Sequence, residues 1–299
     1  MRYTLDNNWL HIEINSLFVN TIQEFFDNYI PSKKVQHLLI QNKQILLDGN
    51  PVNRESDIAG LNLDINIYPE EHIHLSSGLK PEIIYEDEII LIVNKPKDLL
   101  VHSDNEAEET MNRIVDAYYA EQKYINALPI HRLDKQTSGL LIYSKSPVFQ
   151  PILDKELSEK QIRRNYLAFV KGKMKEGETM VIDKPIGNDR HNPNKRIIYK
   201  NGQKAITKLR CLACHKAKNY SVLLCSLDTG RTHQIRVHLS SCGYPILNDE
   251  LYGEASDLCI RMGLFAQNVE MYHPLKEENM TIEAKLPNDL NKLYLEALR

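Results

Sequence analysis

The segment His131-Arg132-Leu133-Asp134-Lys135-Gln136-Thr137-Ser138-Gly139-Leu140-Leu141 sets a carboxylate two residues from a guanidinium, with two hydroxyls and a glycine behind it. It follows Pro129 and runs into an apolar stretch, so the charged part must be a loop ahead of a strand. A loop carboxylate of this kind could do nucleophilic or acid–base work. The spacing alone equally fits a surface loop closed by an ordinary ion pair.

Other chemistry-bearing patterns read more plainly. His233 and His238 are five apart, which diverges on a helix and puts them on opposite faces of a strand, so they are not read as a metal pair. Gly230-Arg231-Thr232 lacks the glycine–lysine spacing of a phosphate-binding P-loop. Cys211-Leu212-Ala213-Cys214-His215 has the spacing of covalent haem attachment, but that use goes with export. No second pair completes a zinc site with Cys211 and Cys214, so they read as small side chains on a strand. Five cysteines at irregular spacing give no disulfide framework and are expected to be reduced.

With 299 residues, 42% of them hydrophobic, the chain can bury a proper core in one large domain or in a large and a small one. Its longest apolar run, Ile89 to Val93, is too short to span a bilayer, and Met1 to Asp6 shows no signal-peptide pattern; a cytoplasmic location is expected. The net charge of −3 does not announce a nucleic-acid binder, yet Arg190 to Lys218 holds nine basic residues and no acid. Such a block is either a solvated face or a surface for a polyanion.

The elements that must position these residues follow from periodicity. Ile22, Phe25, Phe26, Tyr29 and Ile30 share one helical face, and Pro31 ends that helix. Ser32 caps a second helix with Val35, Leu38 and Leu39 as its stripe. Asp48-Gly49-Asn50-Pro51 turns between two short strands, and Leu61, Leu63, Ile65 and Ile67 alternate as a third. The expected order is helix, helix, strand, strand, strand. After a linker at His72 to Lys80, Ile89 to Val93 reads as a buried strand, Glu109 to Gln122 as a helix, and Asn165 to Val170 and Ser221 to Leu227 as strands.

The order of the first elements, with Lys33 and Lys34 opening the second helix, resembles an S4-like RNA-binding domain. Residues 1–75 hold ten acids against five bases, so this domain would bind RNA weakly or contact protein instead.

The catalytic-loop segment resembles the signature of RluA-type pseudouridine synthases, in which this Asp is indispensable. Three further segments fall in that family's order. They are Glu86 to His102 around Asn94-Lys95-Pro96; Arg164-Asn165-Tyr166-Leu167-Ala168-Phe169-Val170-Lys171-Gly172; and Leu227 to Leu239, which contains Thr229-Gly230-Arg231-Thr232-His233-Gln234-Ile235-Arg236. The resemblance spans Tyr85 to about Pro274. It implies an α+β protein: a pseudouridine synthase fold with a mixed, largely antiparallel central sheet and a cleft across it. The division expected is an S4-like domain at 1–75, a linker at 76–84 and a catalytic domain at 85–299.

By the same resemblance, Asp134 acts as nucleophile or general base, Arg236 pairs with it, and Tyr166 lies against the uracil face. Arg132 would fill the gap left by a flipped base, and His131, Thr137, Arg231, Lys195, Arg196 and Lys204 join it on the substrate side. The alternative for Arg236 is a solvated arginine at a strand end. The family's Gly-Lys-x-Ala-x-Thr hairpin appears as Gly202-Gln203-Lys204-Ala205-Ile206-Thr207, which moves the basic block toward RNA contact. Asn248-Asp249 stands where the family has Gly-Asp, and Phe265-Ala266 where it often has His-Ala; both are expected to lie outside the chemistry. The enzyme implied needs no cofactor and no metal, and acts as a monomer on uridine in structured ribosomal or transfer RNA. Two rivals stand beside it: an RNA-binding protein of this fold without catalysis, and a hydrolase needing a second working carboxylate.

Overall fold

The computed structural model describes residues 2–13, 19–58, 62–122 and 125–299. Leu61, the first residue of the expected alternating strand, lies outside them.

A small five-stranded sheet comes first. It contains β1 (Tyr3–Asp6), β2 (Trp9–Glu13), β3 (Ile45–Leu47), β4 (Asn50–Pro51) and β5 (Asn62–Asn66), with α1 (Ile22–Tyr29) and α2 (Lys33–Gln41) between β2 and β3. Thr21 and Ser32 cap the two helices, their side-chain oxygens accepting from Glu24 N and Val35 N. The expected order of two helices and then three strands holds for 22–66, but the β1–β2 hairpin precedes it. That hairpin is signalled only by the alternation of Leu10 and Ile12, both buried, with exposed or half-exposed neighbours.

The larger sheet has ten strands. Its path is β11 (Thr179–Asp183), β14 (Ile206–His215), β15 (Tyr220–Leu227), β10 (Arg163–Lys171), β16 (Leu264–His273), β9 (Ser138–Ser144), β7 (Ile90–Lys95) and β6 (Ile83–Glu86). At its margins β17 (Glu278–Glu283) pairs with β16, and β8 (Leu128–Pro129) with β9. A separate hairpin joins β12 (Ile186–Asn188) to β13 (Arg196–Ile198). The helices are α3 (Met111–Tyr118), α4 (Gln150–Ser158), α5 (Gln234–Ser241) and α6 (Asn288–Ala297). The central sheet is mixed and largely antiparallel, as the resemblance implied, with the parallel pairing between β16 and β9. β6 begins at Ile83, inside the segment expected to be linker, because it pairs with β7.

The small sheet docks on the large one. Tyr68 OH donates to Glu88 O, Ser146 Oγ to Ile67 O at 2.5 Å, and Tyr29 OH to Glu277 Oε1 at 2.7 Å, over a continuous buried apolar core. Among the described residues no helix is long and apolar enough to cross a membrane.

Candidate active site

The loop bearing Asp134 is fixed at both ends by the sheet. A turn closes it, Thr137 N donating to Asp134 O at 3.1 Å. The chain then enters β9 at Ser138 and Gly139, which lie beside Phe265 and Ala266 of β16 in the parallel pairing. A Cβ on Gly139 would sit 2.2 Å from Ala266 O, and φ there is +116°, so only glycine allows this approach. Ala266 pairs on its other side with Tyr166 of β10, where the register shifts by a bulge. One row across three strands thus brings the loop to Tyr166. Phe265-Ala266, expected to lie outside the chemistry, is the bridge in that row.

Lys95, at the end of β7, holds the loop from beneath. Its side chain is fully buried, and Nζ donates to the carbonyls of Pro96, Leu99 and Lys135 at 2.8, 2.7 and 3.1 Å. All three ammonium protons are spent on backbone, one of them on the residue after Asp134. Burial pushes its pKa down to about 8, against the pull of Asp134 and Asp98.

Arg236 is on the first turn of helix α5 and is buried, not a solvated strand-end residue. Its Nη1 donates to Asp134 Oδ2 at 3.2 Å, while Nε and Nη2 grip Asp249 Oδ2 and Oδ1, each at 2.8 Å. Burial works against the guanidinium's charge, but the bonds and charges of Asp249 and Asp134 outweigh it and raise its pKa above the usual value. Asp249 itself is fully buried, and its Oδ1 also accepts from Leu251 N and Tyr252 N. The expectation that Asn248-Asp249 lies outside the chemistry is therefore corrected. Asn248 sits at φ +56°, where the family's glycine would be at ease and asparagine is tolerated.

Tyr252 completes the support. Its ring faces the Arg236 guanidinium at 5.1 Å and Lys195 Nζ at 5.3 Å; its hydroxyl meets His233 Nδ1 at 2.9 Å and accepts from Arg196 N at 2.7 Å. His233 Nε2 lies 3.9 Å from Asp134 Oδ2; burial lowers its pKa, with Asp134 opposing and Arg236 assisting. His238 turns elsewhere, to Thr207 Oγ1 and Lys184 O.

Asp134 opens onto a cavity of about 470 Å³, large enough for one nucleoside. Among the lining residues are His131, Arg132, Thr137, Arg164, Tyr166, Arg231 and Arg236. Tyr166 is buried, which raises its pKa against Arg164, so its phenol stays protonated. Thr137 Oγ1 and Arg164 Nε are buried with no partner. His131 is committed inward: Nε2 accepts from Ile142 N at 3.3 Å, and burial pushes its pKa down to about 3. Two further carboxylates line the cavity. Asp228 pairs with Lys208 and Lys160 at 3.0 and 3.4 Å, and Asp154 accepts from Gln150 at 3.1 Å.

The basic block is divided. Lys195 and Arg196 stand beside Tyr252, and Lys204 O accepts from Arg231 Nε at 3.1 Å, at the rim. Lys216 and Lys218 lie past the far end of the ten-residue β14, roughly 30 Å away, and Lys218 pairs with Glu296. Cys211 and Cys214 are on β14 as free cysteines. Sequence reasoning missed Asp249, Tyr252, Lys95 and Arg164 as parts of the site, although each lies in or beside a quoted motif.

Residues 89–241 match the family described as RNA pseudouridylate synthase. A Bacillus subtilis protein named uncharacterized RNA pseudouridine synthase YhcT is 36% identical over 214 residues, 71% of this chain and 70% of that one. The ribosomal large subunit pseudouridine synthase D of Haemophilus influenzae is 31% identical over 298 residues, 93% of this chain and 90% of that one. In solved structures, the human RNA pseudouridylate synthase domain containing 1 superposes with a TM-score of 0.58 at 24% identity, over 72% of this chain and 87% of that one, a likeness of fold.

Proposed function

Because this chain belongs to the RNA pseudouridine synthase family, and so is a pseudouridine synthase, we propose that it isomerises specific uridines in ribosomal or transfer RNA, with Asp134 as nucleophile or general base on a flipped-out uridine. The observation that carries this reading is the Asp134 carboxylate, tethered by Arg236 and lining a nucleoside-sized cavity together with Tyr166.

The reaction breaks the bond from ribose carbon to uracil nitrogen and forms one to uracil carbon; the proton on that carbon leaves, and one returns to the nitrogen, so no mass changes. Asp134 is placed to attack or to take the proton, with Oδ2 tethered to Arg236. Tyr166 offers its ring to the base, and Thr137 Oγ1 and Arg164 offer unspent hydrogen-bonding groups. Arg132, exposed at the loop tip, would occupy the space the base leaves. Arg231, Lys195, Arg196 and Lys204 would take phosphates. His131, although at the cavity wall, is better suited to holding β9 against the loop.

The division into an S4-like domain at 1–75 and a catalytic domain at 85–299 is part of the proposal, supported by the two separate sheets. Relatives named for the ribosomal large subunit make its RNA the first substrate to try. Purified protein without added metal or nucleotide is incubated with ribosomal and transfer RNA from cells lacking the gene, and pseudouridines are mapped. Restoration of defined sites supports the reading. Binding without conversion, or cleavage in place of isomerisation, sinks it.

A further inference from the structure

We propose that His72, His74 and Asp116 form a binding site for one zinc-class divalent cation, which clasps the segment joining the two sheets onto helix α3. His72 Nε2 and His74 Nδ1 each lie 2.9 Å from Asp116 Oδ1, and the three donor atoms are all within 4.8 Å of one another. The ligand atoms of a tetrahedral zinc site stand about 3.3 Å apart, given bonds of about 2.0 to 2.1 Å. To admit the ion, each 2.9 Å separation must open by about 0.4 Å, and the two histidine nitrogens, within 4.8 Å of each other, must close by up to roughly 1.5 Å, which side-chain rotation at the half-exposed His72 can supply.

The chain is arranged to present this set. His72 and His74 alternate with Ile73, which is 92% exposed, so both imidazoles turn to the helix while the residue between them turns to solvent. Asp116 Oδ2 accepts from Leu75 N, which orients the carboxylate and leaves Oδ1 to the histidines. Arg113, one turn earlier on α3, donates through Nε to Ser76 O at 3.1 Å and extends the same seam. The His74 side chain is 5% exposed, and its Nε2 is buried without a partner.

Two imidazoles and a carboxylate suit zinc, nickel or cobalt, and not the all-oxygen shells of magnesium or calcium. Three protein ligands leave a fourth position for water, and the His72 side chain, 32% exposed, leaves a path of entry. The cation would take no part in the chemistry at Asp134. Bound to the folded chain and not to the unfolded one, it stabilises the junction between the sheets by mass action.

The test uses the full-length, chelator-stripped protein. Zinc chloride is titrated by calorimetry and melting is followed with and without zinc. Cobalt(II) reports the ligands by its visible spectrum. One saturable equivalent is expected, with a zinc-dependent rise in Tm and a cobalt spectrum lacking the near-ultraviolet thiolate band. His72→Ala, at the more exposed ligand, should weaken zinc by more than the 10- to 100-fold, roughly, that loss of an outer partner costs. It should also abolish the Tm rise, as should Asp116→Asn. A Cys211→Ser/Cys214→Ser protein should bind as before. Absence of saturable binding, equal binding by the His72→Ala protein, or a thiolate band overturns the proposal and leaves a hydrogen-bonded clasp only.

Discussion

Arg236 gives Asp249 two of its bonds and Asp134 one. Nε and Nη2 lie 2.8 Å from the two oxygens of the fully buried Asp249, whereas Nη1 reaches Asp134 at 3.2 Å. The cation is thus mostly neutralised from behind, and the Asp134 carboxylate is oriented without being locked into a closed pair. Asp249→Asn keeps the volume and removes the stronger partner. Leaving a buried arginine short of its charge should cost about 3 kcal/mol. Turnover should fall roughly 100-fold, as expected when a reacting group is misplaced by an ångström, with RNA affinity little changed. Unchanged kcat in a folded variant would remove Asp249 from the site.

Lys95 links pH to the same loop. Its pKa in the folded protein, about 8, is below the unfolded 10.5, so the unfolded chain holds more protons between those values. The burial penalty at Lys95 is therefore carried in full below pH 8 and relieved as pH rises to 10.5. Stability should not fall in that window on its account. The neutral amine, however, has one proton fewer for three carbonyls, including Lys135 O. Turnover should decline above about pH 8 while the fold holds. Lys95→Met should show lower turnover at every pH and no decline centred there. An alkaline limb that persists in the variant assigns the titration to another group.

The divided basic block makes a comparison possible. Reversing Lys195, Arg196 and Lys204 to Glu should weaken RNA binding and reduce the slope of log K against log salt by about 0.7 to 0.9 for each phosphate that is no longer neutralised. Reversing Lys216 and Lys218, at the other end of β14, should leave the slope alone. Equal effects from both sets would mean that the RNA covers the whole strand.

What the sequence disclosed was governed by range. Local periodicity was enough for α1, α2 and the strand at Ile90–Lys95, because an apolar stripe is written in consecutive residues. Motif resemblance placed Asp134, Tyr166 and Arg236 together, and they line one cavity. It did not reveal that Arg236 acts from a helix, since Gln234 to Ser241 carries no clear apolar stripe and most of that helix is buried. Asp249 and Tyr252 were missed because their roles exist only after α5 packs over the loop that follows it. The charge block shows the opposite limit: residues close in sequence stand apart by the length of a strand, a separation that composition does not record.

The variant Asp134→Asn tests the chemistry most directly. It keeps the side chain's size while removing the charge and basicity that either role needs. Arg236 retains its two bonds to Asp249, so the fold should survive. The missing bond and charge at 3.2 Å should cost on the order of 1 to 3 kcal/mol, toward the lower end because Asp134 is partly exposed to the cavity. Turnover should drop by about a thousandfold or more, since losing a catalytic nucleophile or base raises the barrier by several kcal/mol. RNA affinity should persist, because phosphate and stacking contacts do not use this carboxylate. Pseudouridine formation, melting and a binding titration on one preparation separate these effects. Near-normal turnover by folded Asp134→Asn protein, once deamidation back to Asp is excluded, would mean that another group does the chemistry, and the cavity's remaining carboxylates, Asp154 and Asp228, would be next to mutate.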